Sequence, residues 1–292
     1  MKALLYKKLN AFTSESSSGN PATCIYLKDN SQLQESDMQS IATDHKGFVS
    51  EVIYCTSKEE NVFSLKYYSS ECEVAFCGHG TIACMYDLIK NNSELNKLPQ
   101  VFIETAKGKL TVYNELQALD AVFISAPNPE YHRTDVDADM IAEALDVRKE
   151  AILEKYPIAL INAGLNTLIV PIATLKEELS IWPNEQTLKA FCLEHEIDII
   201  LIFTTEVSNE KNFVRTRVFA PKFGYLEDKA TGSGNSALGY YMLQNNIWDG
   251  KPILIEQNAE HSAFNIVRIK MLDGKVLFGG RATVKIEGKY HY

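Results

Sequence analysis

The chain has 292 residues, 46% apolar and 23% charged, with 15 glycines and 9 prolines. That length favours two packed domains, and the composition excludes a disordered or fibrous chain. The formal charge of −9, with no run of Lys or Arg, argues against nucleic-acid binding. The six cysteines are irregularly spaced and do not form a disulfide framework. Lys2, Lys7 and Lys8 interrupt the opening apolar residues, so no signal peptide is expected. The uncharged run Tyr156–Leu175 contains Asn162, Gly164, Asn166 and Pro171, which reads as two buried strands and a turn rather than a membrane span. A soluble, reduced, cytoplasmic protein is the expectation.

In chain order, Lys2–Phe12 reads as a strand, followed by a polar turn-rich stretch that runs into Pro21. Met38, Ile41 and Ala42 give helical spacing to Gln34–His45. Strands are predicted at 48–56 and 62–69, then a helix opening at Cys77-Gly-His-Gly-Thr81 and running to about Asn92. Strands at 100–105, 109–114 and 120–125 end at Pro127, and a helix covers Asp137–Leu145. The second half predicts strands at 157–162 and 166–172, a helix at 184–195, and strands at 198–204 and 213–220. The turn Thr231-Gly-Ser-Gly-Asn235 opens another helix, and strands close the chain at 263–270, 275–281 and 282–287. Strands outnumber helices and do not alternate with them, so the fold class is α+β.

The two glycine turns are related. At a constant offset of 154, Cys77–Asn92 and Thr231–Asn246 match at six of sixteen positions, including Gly78/Gly232, Gly80/Gly234 and Tyr86/Tyr240. A strand precedes each turn, which makes duplication the better explanation.

A glycine-rich turn at a helix start presents unpaired N–H groups at the positive end of the helix dipole, a site for carboxylate or phosphate. An isolated turn of this kind would more often serve only to pack helix on strand. Two equivalent turns favour the binding reading, in which both helix starts face a cleft between the halves. Glu51 lies in the largely apolar run Phe48-Val-Ser-Glu-Val-Ile-Tyr54. Burial there would raise its carboxyl towards the range useful for proton transfer, whereas an edge strand would turn it to water. Asp228 could serve as a helix cap and His79 as an ordinary turn histidine. Cys72, Cys77, His79 and Cys84 lack the usual spacing of a zinc site, and a Cys77–His79 nucleophilic pair competes with Cys77 as a small buried hydrophobe.

Several blocks together resemble the PhzF-like isomerases of the diaminopimelate-epimerase superfamily. They are Asn10-Ala-Phe12 with Ser18-Gly-Asn-Pro-Ala22, Ser50-Glu51, Cys77-Gly-His-Gly-Thr81, and Val218-Phe-Ala-Pro221 with Glu227-Asp-Lys-Ala-Thr-Gly-Ser233. Phe278-Gly-Gly-Arg-Ala282 completes the family order. The resemblance implies two alike domains, each a curved mixed sheet around a central helix, with the active site between them. It places an N-terminal domain at 1–117, joined by the last strand at 283–292, and a C-terminal domain at 118–282. It implies an isomerase needing no cofactor and no metal, in which Glu51 moves a proton between carbons, with His79 and Asp228 as further catalytic residues. Asn20, Gly78, Gly80, Thr81, Gly232, Ser233 and Gly234 are the expected substrate-binding residues, the substrate being a small carboxylate. A homodimer is the assembly expected of relatives.

Racemases of the superfamily use one cysteine on each turn, but the repeat partner of Cys77 is Thr231, which forms no thiolate at neutral pH. Glu51 then carries the proton alone. Around the second turn Lys229 replaces an expected proline, and Gly234-Asn235-Ser236 stands where Ala-His-Gly is commoner. These departures bear on the substrate more than the fold. The alternatives are a racemase using Glu51 with Cys77, and a non-catalytic ligand-binding protein.

Overall fold

The computed structural model describes residues 3–29 and 32–292, so Lys2, where the first predicted strand begins, lies outside the described residues. The chain divides into two units, one comprising residues up to Thr13 with Ser18–Ser125 and Gly279–Tyr292, the other Ser14–Ser17 with Ala126–Phe278.

The first unit contains β1 (Ala3–Ala11), β2 (Asn20–Leu27), α1 (Glu35–Asp44), β3 (Glu51–Glu59), β4 (Val62–Ser69) and β5 (Glu73–Val74). It continues with α2 (Gly78–Lys90), α3 (Ser93–Lys97), β6 (Gln100–Thr105), β7 (Gly108–Glu115), α4 (Leu116–Leu119) and β8 (Ala121–Ser125). Side chains alternate across the sheet with the period of two that strands impose. Leu4, Tyr6, Ile25, Leu27, Val52, Tyr54 and Tyr68 pack with Met38, Ile41 and Ala42 of α1. The intervening positions face α2, whose residues Thr81 to Tyr86 are buried without a break. A helix apolar all round belongs inside a core, and α2 packs against β1, β2, β3 and β8.

The second unit contains β9 (Glu130–His132), α5 (Ala138–Leu145), β10 (Ala159–Asn162), β11 (Asn166–Pro171), α6 (Leu175–Ser180), α7 (Glu185–Glu194), β12 (Ile199–Thr204) and β13 (Val214–Phe219). Then come β14 (Glu227–Asp228), α8 (Gly232–Gln244), β15 (Ile253–Gln257) and β16 (Asn265–Leu272). The chain returns to the first unit along β17 (Lys275–Gly280) and ends in β18 (Ala282–His291), which pairs antiparallel with β1. Here α8 is the central helix, and α5 and α7 cover the other face through Ile141, Leu145, Leu188 and Cys192.

The ladders repeat strand for strand. In the first unit β2–β3 is parallel, β3–β4 and β4–β5 are antiparallel, β4–β6 is parallel and β6–β7 antiparallel. In the second, β11–β12, β12–β13, β13–β14, β13–β15 and β15–β16 follow the same sequence of directions. The starts of α2 and α8, at Gly78 and Gly232, stand 154 residues apart, as do β5 and β14. Both helices have 13 residues, and their N-caps, Cys77 and Thr231, share extended backbone angles. The duplication is therefore structural.

Five strands were not foreseen, the short β5, β9 and β14 and the longer β2 and β15. β2 follows a polar stretch and carries Pro21, whose residue pairs with Asn10 near the start of the ladder, where a missing donor is tolerated. β15 contains Glu256 and Gln257, both fully buried, so polarity there did not mean exposure.

Candidate active site

Glu51 opens β3, which runs between β2 and β4 and so is not an edge strand. It shares a sheet face with Ile53 and Cys55, the face turned to α2. The first turn of α2 lies close against that face. A Cβ on Gly80 would fall 2.6 Å from Ile53 Cδ1 and 3.0 Å from Cys77 Sγ, so only glycine allows this approach.

The approach brings three side chains together. Glu51 Oε2 lies 3.2 Å from His79 Nε2, and their side chains are 20% and 13% exposed. Cys77 Sγ lies 3.6 Å from Glu51 Oε2 and accepts the Gly80 N–H at 3.3 Å. The sulfur is 3.6 Å from His79 Nδ1 and 3.8 Å from Nε2, so it stands off the axis of either ring N–H. The directed contact of the imidazole is the one to Glu51. Beneath it, Thr81 Oγ1 donates to the Cys77 carbonyl at 2.7 Å and meets the Tyr67 hydroxyl at 2.7 Å.

Burial pushes the Glu51 carboxyl up, but the His79 hydrogen bond and charge, with the Cys77 contact, outweigh it, and the net direction is down. The expectation of a raised carboxyl is corrected here, because burial acts against an imidazolium partner. For His79, burial pulls down, while Cys77 and Glu51 beside it hold the ring well above its ordinary value. Burial and the Glu51 charge raise the Cys77 thiol. At neutral pH these directions keep Glu51 a carboxylate and Cys77 a thiol.

Asn20 is buried at the start of β2, in the same unit. Gly78, His79 and Gly80 form the first turn of α2, where helix geometry leaves N–H groups without carbonyl partners inside the helix. The quartet Cys72, Cys77, His79 and Cys84 is not brought together. Cys72 is exposed beside Ser69, whereas Cys84 is buried in the core with Cys24 and Cys55.

In the second unit, Asp228 Oδ2 accepts from Thr231 Oγ1 at 2.5 Å, which ties it to the N-cap of the Gly232 helix. Gln257 ties the turn together, donating to the Asp228 carbonyl at 3.0 Å and accepting from Thr231 N at 3.0 Å and from Asn235 Nδ2 at 2.6 Å. A Cβ on Gly232 would lie 2.2 Å from Phe278, and Ser233 Cβ approaches Gly164. Gln257 was missed because β15 was missed.

Two buried arginines were also missed, and one of them, Arg217, holds the strand that bears Asp228. Arg217 forms a fork with Glu227 at 3.1 and 2.9 Å and donates to the carbonyls of Glu178 and Ile181. Arg215 binds Glu178 at 3.2 Å and Glu256 at 2.8 Å. Their alternation in Val214-Arg-Thr-Arg-Val218 suggests a wet face, yet both are fully buried. Three carboxylates face two guanidiniums here. Burial, against the pull of Arg215 and Arg217, pushes the Glu178 carboxyl up to about 7.

Residues 9–288 match the phenazine biosynthesis-like protein family, PhzC-PhzF. The chain belongs to this family. It is 27% identical over 294 residues to the uncharacterized isomerase YfhB of Bacillus subtilis, covering 100% of this chain and 97% of that one. It is 23% identical to the trans-2,3-dihydro-3-hydroxyanthranilate isomerase of Pseudomonas chlororaphis, covering 96% and 98% of the two chains. A PhzF-family protein of Bacillus anthracis has the same fold, with a TM-score of 0.84 at 22% identity and 100% of each chain covered. The epimerase-like α+β architecture and membership among the isomerases both follow. Among the described residues no helix is long and apolar enough to cross a membrane, and the Tyr156–Leu175 run forms β10 and β11.

Proposed function

We propose that this PhzF-family chain moves a proton between carbons of a small carboxylate-bearing substrate, with Glu51 as the general acid and base and no cofactor. The observation that carries this reading is the Glu51 carboxylate held 3.2 Å from His79 Nε2, beside the first turn of α2. A carboxylate so placed can take a proton from an acidic C–H and return it elsewhere, while N–H groups and the helix dipole stabilise the enolate formed between the two steps. His79 orients the substrate and balances the charge on Glu51. Asn20, Gly78, Gly80 and Thr81 from the first unit, and Asp228, Gly232, Ser233 and Gly234 from the second, are the proposed catalytic and binding partners.

The candidate substrate class is a cyclic or amino carboxylic acid, and trans-2,3-dihydro-3-hydroxyanthranilate is the first compound to try, given the Pseudomonas chlororaphis relative. Replacing Glu51 with Gln keeps shape but removes the base, and should lower turnover about 10²–10⁴-fold while leaving binding in place. Retained turnover would sink the assignment. The racemase reading gains from Cys77 Sγ lying 3.6 Å from Glu51, but burial and that same charge hold the sulfur as a thiol.

The proposed setting is the cytoplasm, and the proposed assembly a homodimer built on β18. Val284 and Ile286 there are 39% and 45% exposed. Self-pairing centred on Ile286 sets Lys285 opposite the second copy's Glu287, on a strand whose ladder partner in the chain is β1.

A further inference from the structure

We propose that Glu51, Cys77 and His79 form a binding site for Zn²⁺ whose occupation stops the isomerase, an inhibitory site rather than a resident cofactor. Metal binding stands on ligand geometry alone; the loss of turnover rests on the proton-transfer reading of Glu51.

Zinc bonds of about 2.0–2.1 Å to nitrogen and oxygen and about 2.3 Å to sulfur place tetrahedral ligand atoms about 3.3 Å apart for N···O and about 3.5 Å apart for pairs with sulfur. The separations here are 3.2 Å for His79 Nε2 to Glu51 Oε2, 3.6 Å for Glu51 Oε2 to Cys77 Sγ and 3.8 Å for Cys77 Sγ to His79 Nε2. The three atoms thus stand near the corners of one face of a zinc tetrahedron. The thiol donates a long hydrogen bond to Glu51 Oε2 and accepts the Gly80 N–H, so the sulfur already faces the carboxylate oxygen that would share the metal. One carboxylate, one imidazole and one thiolate form a donor set that suits Zn²⁺, with the fourth position left to water.

The set differs from the sequence-level quartet, since only Cys77 and His79 of those four take part and Glu51, distant in sequence, supplies the third ligand. The backbone already holds the ligands in place. Cys77 caps α2, His79 lies in its first turn and Glu51 is anchored in a central strand, so what binding requires is a turn of the imidazole that brings the Nε2 lone pair towards the sulfur. Coordination releases the thiol proton of Cys77 and the Nε2 proton of His79, leaving neutral imidazole and thiolate on the metal. A Glu51 oxygen bound to zinc no longer accepts a proton from carbon.

The test uses Co²⁺ as a spectroscopic stand-in, followed by Zn²⁺ competition, on the full chain. One equivalent of Co²⁺ should produce a near-ultraviolet thiolate-to-cobalt band with the strong visible bands of four-coordinate cobalt, and Zn²⁺ should bleach both. Cys77→Ser should abolish the thiolate band. Glu51→Gln and His79→Gln should each weaken binding by more than about 10-fold, the loss expected at least for removing one ligand. Cys72→Ser should change nothing, because that exposed cysteine lies outside the trio. Absence of the band in wild type, its survival in Cys77→Ser, or its loss in Cys72→Ser would overturn the site. Zinc that binds at the trio but leaves turnover unchanged would overturn the inhibition. A chain with no turnover on any substrate still gives the cobalt result, so the two readings fail separately.

Discussion

Glu51 Oε2 and His79 Nε2 meet at 3.2 Å although one residue opens a central strand and the other lies in the first turn of a helix. The pair sets the pH behaviour of the site. Glu51 is held below its ordinary 4.5 and His79 well above its ordinary 6.5. Activity should therefore be flat through neutral pH, with its acid limb below 4.5. His79→Gln removes the main lowering partner and leaves burial opposed by the Cys77 contact alone, so the acid limb should move to higher pH. The pH profile of kcat/KM in wild type and variant decides this, and an unmoved acid limb would contradict the pairing.

Gly80 lets the helix start reach Ile53, so Gly80→Ala should push the first turn of α2 away from β3. A displacement of that size should lower kcat about 100-fold and stability by about 1–3 kcal/mol. The double variant Gly80→Ala with Ile53→Ala makes room for the methyl group and should recover part of the kcat. Steady-state kinetics on both variants tests the packing, and no recovery would place the fault elsewhere.

The buried carboxylate excess around Arg215 predicts a pH-dependent stability. The Glu178 carboxyl rises from its ordinary 4.5 to about 7 on folding. Its stabilising contribution is complete below 4.5 and disappears as pH rises through about 7, at most about 3 kcal/mol across the window. Urea unfolding at several pH values should show wild type losing stability relative to Glu178→Gln between these limits. Parallel curves would refute it. Arg215→Met should cost about 3–5 kcal/mol, because it strands Glu178 and Glu256 without their shared cation.

The β18 edge offers a charge test of the proposed dimer. Lys285→Glu sets glutamate against Glu287 of the second copy and should shift the chain towards monomer. Adding Glu287→Lys restores opposite charges and should restore the dimer. Sedimentation velocity reads both, and a wild-type monomer, or a dimer indifferent to the swap, would contradict the pairing.

Much of this organisation was legible in the residues. The fixed offset between the two glycine turns foretold two helices of equal length with matched strands before them, because tight turns and helix starts leave local signatures. Glu51 stood out as a charge in an apolar run. Its ionisation did not, since that depends on His79, which only the fold brings near. Arg215, Arg217, Glu256 and Gln257 were illegible for the complementary reason. Polar residues on a strand signal water unless their partners are known, and those partners lie far off in sequence. Asp228 was legible as a neighbour of the turn, but its bond to Thr231 was not.

Proton transfer by Glu51 is tested by proton NMR in D2O with trans-2,3-dihydro-3-hydroxyanthranilate and a panel of small cyclic and amino carboxylic acids. Deuterium should enter a C–H position with the wild-type chain and not with Glu51→Gln. Deuterium entering equally with Glu51→Gln, or with neither protein across the panel, would contradict proton transfer by Glu51.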